Sequence, residues 1–104
     1  MFKKGDLCKH FKGMTLNEKN IYEILEMGVK YSGDASDKPI ENLVVYKNIF
    51  QGKIFAREYE DLVAELPQEK QDLYGQKYRV QKLTLEEIEE VKRRLEAMKE
   101  SEER

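Results

Sequence analysis

A chain of 104 residues holds one domain around a single modest core, and no apolar run approaches the roughly 18 residues of a membrane-crossing helix. Charged residues make up 38% with both signs interspersed, and the net charge of −2 excludes the strong positive excess of a dedicated DNA-binding domain. The one cysteine, Cys8, forms no internal disulfide and fits a reducing cytoplasm, while the opening MFKKGDLCKH has positive charge but no following apolar run, so no secretory leader is expected.

The charge is unevenly placed. Residues 1–58 carry ten Lys/Arg against eight Asp/Glu, and residues 59–104 carry nine against thirteen. The most basic piece is the start, with Lys3, Lys4, Lys9 and Lys12 against Asp6 alone.

In chain order, residues 6–11 alternate as a first strand, with Leu7, Lys9 and Phe11 on one side and Cys8, His10 and Lys12 on the other; Gly13 ends it. Residues 14–20 are polar and turn-like. In IYEILEMGVKYS, Ile21, Leu25, Met27, Val29 and Tyr31 share one period-2 face, with Tyr22 and Ile24 opposite. An apolar set that changes face within one strand predicts a bulge, and Gly28 offers a further place to bend. Residues 33–41, GDASDKPIE, form a loop by composition. Residues 43–46 are apolar on both faces, hence a central strand.

IFQGKIF reads as a tight hairpin whose central Gln51-Gly52 takes positive φ, which costs glycine nothing. Beyond Arg57 the chain turns helical, with Tyr59, Leu62 and Leu66 free to close one end of a barrel. Residues 67–75 are expected as a second loop, and alternation resumes over residues 76–83, with Tyr78 and Val80 on one face. The last segment opens on a capping box, Thr84 with Glu87, and then places Ile88, Val91, Leu95 and Met98 in one narrow apolar stripe. Glu89 with Arg93 and Glu90 with Arg94 are expected i,i+4 ion pairs. Two readings of the stripe stay open: docking on its own barrel, or a homodimer through a short coiled coil.

Little in the chain suggests catalysis. Cys8 and His10 share a strand face, but a structural zinc site takes about four Cys and His ligands and this chain has one of each. A Cys–His nucleophile also needs an oxyanion hole and an orienting group, and nothing marks either. Ser32, Ser36 and Ser101 sit in no nucleophile elbow, and the six glycines are isolated, without a phosphate-loop pattern. Tyr31, Tyr46, Phe50 and Phe55 offer an aromatic platform for bases or a peptide, against which Phe11, Phe50 and Phe55 are favoured as core. Arg57, closing an apolar run, can snorkel to the surface, pair with a nearby carboxylate or present its fork to an anion, and the abundance of nearby Glu and Asp favours structural pairing over ligand binding.

Four stretches then line up: KHFKG (9–13), YEILEMG (22–28), LVVY (43–46) and IFARE (54–58). In this order they resemble a small bacterial family catalogued as domain of unknown function sixteen-fifty-three. That family runs, in outline, through RHFKG, a Y-x-V-L strand, a His-containing turn, LVVY and WVRP. The likeness spans residues 6–83 and leaves the terminal helix outside. It implies a compact SH3-like barrel and no particular activity. His10, Phe11, Lys12, Gly13, Tyr22, Leu43, Val44, Val45, Tyr46 and Arg57 stand on matching positions. The family's second histidine falls near Lys30, and its tryptophan and proline beside the arginine are Phe55 and Glu58 here. Any chemistry resting on that second histidine is therefore absent.

The expectation is a mainly β fold: a small SH3-like antiparallel barrel of about five strands over residues 1–83, then a C-terminal α-helix over 84–104, within the same domain or as a short extension. The expected function is a cytoplasmic protein-interaction or ligand-binding module, not an enzyme, without cofactor, metal or membrane partner. Its candidate surface is His10, Lys12, Tyr46 and Arg57. The alternative is a weak nucleic-acid-binding module using the basic N-terminal strand and surface aromatics.

Overall fold

The computed structural model describes residues 2–12, 20–31 and 42–102. Five strands, β1 (Leu7–His10), β2 (Ile21–Val29), β3 (Leu43–Asn48), β4 (Ile54–Glu58) and β5 (Val80–Lys82), form one antiparallel sheet in the order β4-β3-β2-β1-β5. The helices are α1 (Tyr59–Leu62), α2 (Gln68–Tyr74) and α3 (Leu85–Glu102). This meander, with β5 returning beside β1 and a helix after it, is the mainly β, barrel-like architecture expected. The turn and loop assigned to residues 14–19 and 33–41, Gly13, Ser32 and Ser36 lie outside the described residues, as do the side chain of Ser101 and the end of the tail.

The long strand β2 bends because it carries extra residues. Against β3 its partners run Ile24↔Tyr46, Glu26↔Val45 and Val29↔Leu43, so β2 uses one residue more than β3 at each of two steps. Gly28, at φ +64°, lies within the second irregularity and adopts a backbone that a side chain would resist. Each extra residue inverts the in/out phase of those beyond it. Hence Met27 packs with the cluster containing Ile24, rather than with the Ile21 face as strict alternation would have it.

The two faces of the sheet have separate cores. On one, Cys8, Ile24, Val44, Leu62 and Val80 are buried, with Tyr22, Met27, Tyr46 and Tyr59 packed around them. On the other, Ile21, Leu83 and Val91 are buried, backed by Leu7, Ile49, Phe50, Ile88 and Leu95. Helix α3 therefore docks on its own sheet. Its capping box forms as expected: Glu87 N donates to Thr84 Oγ1 at 3.2 Å, and Thr84 N donates to Glu87 Oε1 at 3.0 Å. The other oxygen of Glu87 accepts from Lys9 Nζ at 2.8 Å, which fastens the first turn of α3 to β1. Burial alone would raise the Glu87 pKa, but the bonds from Lys9 and Thr84 outweigh it and hold the carboxyl below its usual range. Farther along, Arg93 reaches Glu90 rather than Glu89, at 2.6 Å, and Arg94 shares the same carboxylate at 3.0 Å.

Two local expectations need correction. The hairpin is not a two-residue turn: Asn48 N donates to Lys53 O at 2.8 Å, so residues 49–52 form the loop. Its organiser is Asn48, whose buried Oδ1 accepts from Phe50 N at 2.9 Å and Gln51 N at 2.8 Å. Only Gly52 takes positive φ, at +76°. Residues 67–75 are no loop either, since Pro67 precedes and Gly75 ends helix α2, with Gly75 left-handed at φ +67°. Past it, β5 is just three residues long, and Glu65 and Tyr78 form an isolated bridge below it.

Candidate functional site

A pocket of about 450 Å³ opens on the face opposite α3, lined by residues of all five strands and by Leu62 of α1. Alternation decides who reaches it. On β1, Cys8 and His10 line the pocket, while Lys9 faces the other way to Glu87. On β2 the pair is Tyr22 and Ile24, on β3 it is Tyr46, and on β4 Phe55 and Arg57. The register brings them side by side, with Tyr46 opposite Phe55, Ile24 opposite Tyr46, and Cys8 opposite Tyr22. All four residues proposed from the sequence, His10, Lys12, Tyr46 and Arg57, line this one pocket.

The wall is aromatic. Tyr46 and Phe55 lie nearly parallel, with centroids 5.7 Å apart at 25°. Tyr22 stands edge-on to both, 5.1 Å from Tyr46 and 6.1 Å from Phe55. Here the sequence expectation fails in part, because Phe55 is no core residue: it is 42% exposed and forms the pocket's rim. The aromatic group is Tyr22, Tyr46 and Phe55 rather than the platform read from the sequence. Tyr31 is exposed outside the pocket lining, and Phe50 packs on the helix side. Phe11 is core as expected, buried under Tyr74 of α2 at 5.2 Å, with the Arg79 guanidinium 6.0 Å from its ring.

The polar rim is cationic. Lys12 and Arg57 line the pocket, and among the described residues its lining holds no Asp or Glu. Among the described residues, Lys4, Lys9, Lys77, Lys82, Arg93 and Arg94 all have carboxylate partners, but Arg57 has none. Its guanidinium is hydrogen-bonded with the Tyr46 hydroxyl, and its charge also acts on His10. Burial raises the Tyr46 pKa, with Arg57 acting in the opposite sense, so the phenol stays protonated at neutral pH.

His10 is held firmly in place. Its N–H donates to Asn20 O at 2.9 Å, and Asn20 Nδ2 donates back to His10 O at 3.1 Å. Its Nδ1 accepts from Lys12 N at 3.4 Å, which leaves Nε2–H as the ring's donor. Burial, then the charges of Arg57, Lys12 and Arg79, depress its pKa to about 4, so the ring is neutral at pH 7. Cys8 is buried and its Sγ lies 3.6 Å from Tyr22 O. Burial, with the Asp6 charge second, pushes the thiol up to about 12, so it supplies no thiolate at neutral pH. Among the described residues no three His, Cys, Asp or Glu groups come together as metal ligands.

Sequence reasoning missed Tyr22 and Asn20. The signal for Tyr22 was the i,i+2 pair it makes with Ile24 on the face opposite Ile21; Asn20 had no signal, since its role depends on the strand across from it. Also among the described residues, no helix is long and apolar enough to cross a membrane. Comparison with protein-family models, with curated proteins and with solved structures finds no match to this chain.

Proposed function

We propose that the protein is a small binding module, not an enzyme, whose working surface is the pocket lined by His10, Lys12, Tyr46 and Arg57. One observation supports this above the others: among the described residues, an arginine without a carboxylate partner stands beside a stack of aromatic rings in a pocket whose lining holds no acidic side chain. At about 450 Å³ the space falls within the roughly 300–1,000 Å³ usual for small-ligand sites. A neutral histidine and a protonated buried thiol suit recognition better than proton transfer at pH 7. The single, buried cysteine favours a cytoplasmic setting. The likeness to domain of unknown function sixteen-fifty-three agrees with this reading, because the residues on its matching positions include these four.

The nucleic-acid alternative loses support. Lys4 pairs with Glu26 at 2.9 Å and Lys9 with Glu87 at 2.8 Å, so the N-terminal basic stretch is partly neutralised within the chain. The test is a 15N-NMR titration with low-mass acids. Shifts concentrated at Cys8, His10, Tyr22, Phe55 and Arg57 are expected, and acids that move none of these amides would overturn the reading.

A further inference from the structure

The pocket's chemistry restricts its ligand further. Resting on the binding-module reading, we infer that the site takes a small acid that joins a carboxylate to a flat aromatic ring, directly or through a short link, with the carboxylate on the Arg57 guanidinium and the ring against Tyr46 and Phe55.

Three features lead there. First, among the described residues, Arg57 is partly buried on β4 with no carboxylate partner, and the pocket beside it is lined by no Asp or Glu. A guanidinium is a planar fork that matches a carboxylate through two parallel hydrogen bonds, and desolvation strengthens such a pair. Among the lining residues there is one further cation, Lys12, and one uncharged donor, His10 Nε2–H, with the Arg79 charge acting on His10 from outside the lining. That set suits a small anion that presents a carboxylate to the fork.

Second, Phe55 and Arg57 are two apart on one strand, so their side chains rise on the same face, about 7 Å apart along the chain direction. Tyr46 lies directly across from Phe55, and Val44 across from Arg57. The Arg57 side chain is long enough to cross that step, and its guanidinium reaches the Tyr46 hydroxyl, so the anion fork lies at the edge of the aromatic wall, where a carboxylate and the ring that carries it can touch both. Third, the near-parallel Tyr46 and Phe55 rings, with Phe55 42% exposed, present a face that another ring can cover. A puckered aliphatic ring of equal size gains less there. The same chemistry reaches the pocket from a free aromatic acid or from a peptide chain ending in an aromatic residue.

Titration of the whole chain separates these cases, followed by amide shifts at Cys8, His10, Phe55 and Arg57. Benzoate, cyclohexanecarboxylate, inorganic phosphate, and N-acetyl-glycyl-phenylalanine with its C-terminal amide are the probes. Benzoate or the free-acid peptide is expected to bind, and whichever binds tighter identifies the source. Cyclohexanecarboxylate and the peptide amide should each bind at least about fivefold more weakly than their partners. Arg57→Gln should weaken aromatic acids by at least about tenfold, with Arg57→Lys intermediate because it keeps charge but not the fork.

Cyclohexanecarboxylate equal to benzoate, phosphate binding tighter than either acid, or unchanged affinity in Arg57→Gln would overturn the inference while leaving a binding pocket. Silence of the pocket amides toward every probe would overturn both. Melting curves of Arg57→Gln and of the exposed Lys12→Gln check that each variant is folded, and Lys12→Gln should weaken aromatic acids less than Arg57→Gln does.

Discussion

The two faces of this sheet are made by the same strands and do opposite work. On β1 Lys9 faces α3, while His10 faces the pocket; on β2 Ile21 packs under the helix, while Tyr22 lines the pocket. The helix face is closed: an amphipathic helix covers it, its cap is satisfied, and its nearest cation, Lys9, has a carboxylate. Among the described residues the pocket face has no such cover, its rings are partly wetted, and Arg57 has no carboxylate partner. Period-2 alternation therefore lets one short sheet divide its residues between a closed core and an open pocket. In a chain this small, the cohesive face has little to spare.

The largest effect should come from uncovering the helix face. Deleting residues 84–104 exposes Ile21 and Leu83, and removes Val91 from between them together with the Lys9–Glu87 tie. Each such apolar side chain contributes about 1.5–3 kcal/mol when buried. After allowing for the entropy recovered by the helix, a loss of at least about 3 kcal/mol is expected, or roughly 15 °C in the melting temperature of a domain this size. A circular-dichroism melt reads it directly. An unchanged transition would mean that the two faces do not differ in this way.

How far the sequence reveals these faces depends on the range of the interactions involved. The capping box and stripe of α3 were legible because both are set by neighbours three and four residues away. The bulge in β2 was legible from the switch of its apolar set between Ile21 and Ile24. Helix α2 was not, although Pro67 and Gly75 bracket it, because its polar sequence has no apolar stripe and its anchoring is indirect: Tyr74 on Phe11, and Gln71 Nε2 on Leu66 O at 2.8 Å. The hairpin loop was misjudged because the glycine outweighed Asn48, whose side chain organises it. At the site, the four polar candidates were legible one by one, but their meeting in one pocket depends on strand order. Phe55 was assigned to the core because its place on an edge strand cannot be read from its neighbours in sequence.

A smaller, pH-dependent effect should separate the faces. The His10 pKa falls from 6.5 to about 4 on folding, so between those values the unfolded chain binds a proton that the folded one refuses. Stability is therefore lost as pH drops from about 6.5 toward 4, and is fully present above. The ring is partly exposed, so solvent screening brings the expected loss to about 1 kcal/mol. Carboxylates such as Glu87, depressed on folding, act in the same direction at lower pH. Comparing wild type with His10→Gln by urea denaturation at pH 7.5 and 5.5 isolates the histidine: the variant should lose less between the two. Equal losses would show that His10 is not held neutral by the pocket.

The smallest expected effect tests the comparison most directly. Truncating a core phenylalanine to alanine typically costs about 3–5 kcal/mol, because the transfer energy is lost and a cavity remains. Phe55 is a large apolar side chain set against two tyrosine rings, as a core residue would be. Its position argues otherwise: β4 is paired only with β3 among the described residues, and Phe55 is 42% exposed. Removing the ring opens no sealed void, since the space joins a pocket that water already reaches. What is lost is part of its buried area and two ring contacts, each about 0.5–1.5 kcal/mol at full burial and less at a wetted rim. Phe55→Ala should therefore cost under about 1 kcal/mol in urea denaturation while weakening aromatic-acid binding. A cost of 3 kcal/mol or more would place Phe55 among the residues that hold the fold, and the pocket face would then be a second core rather than a surface kept open.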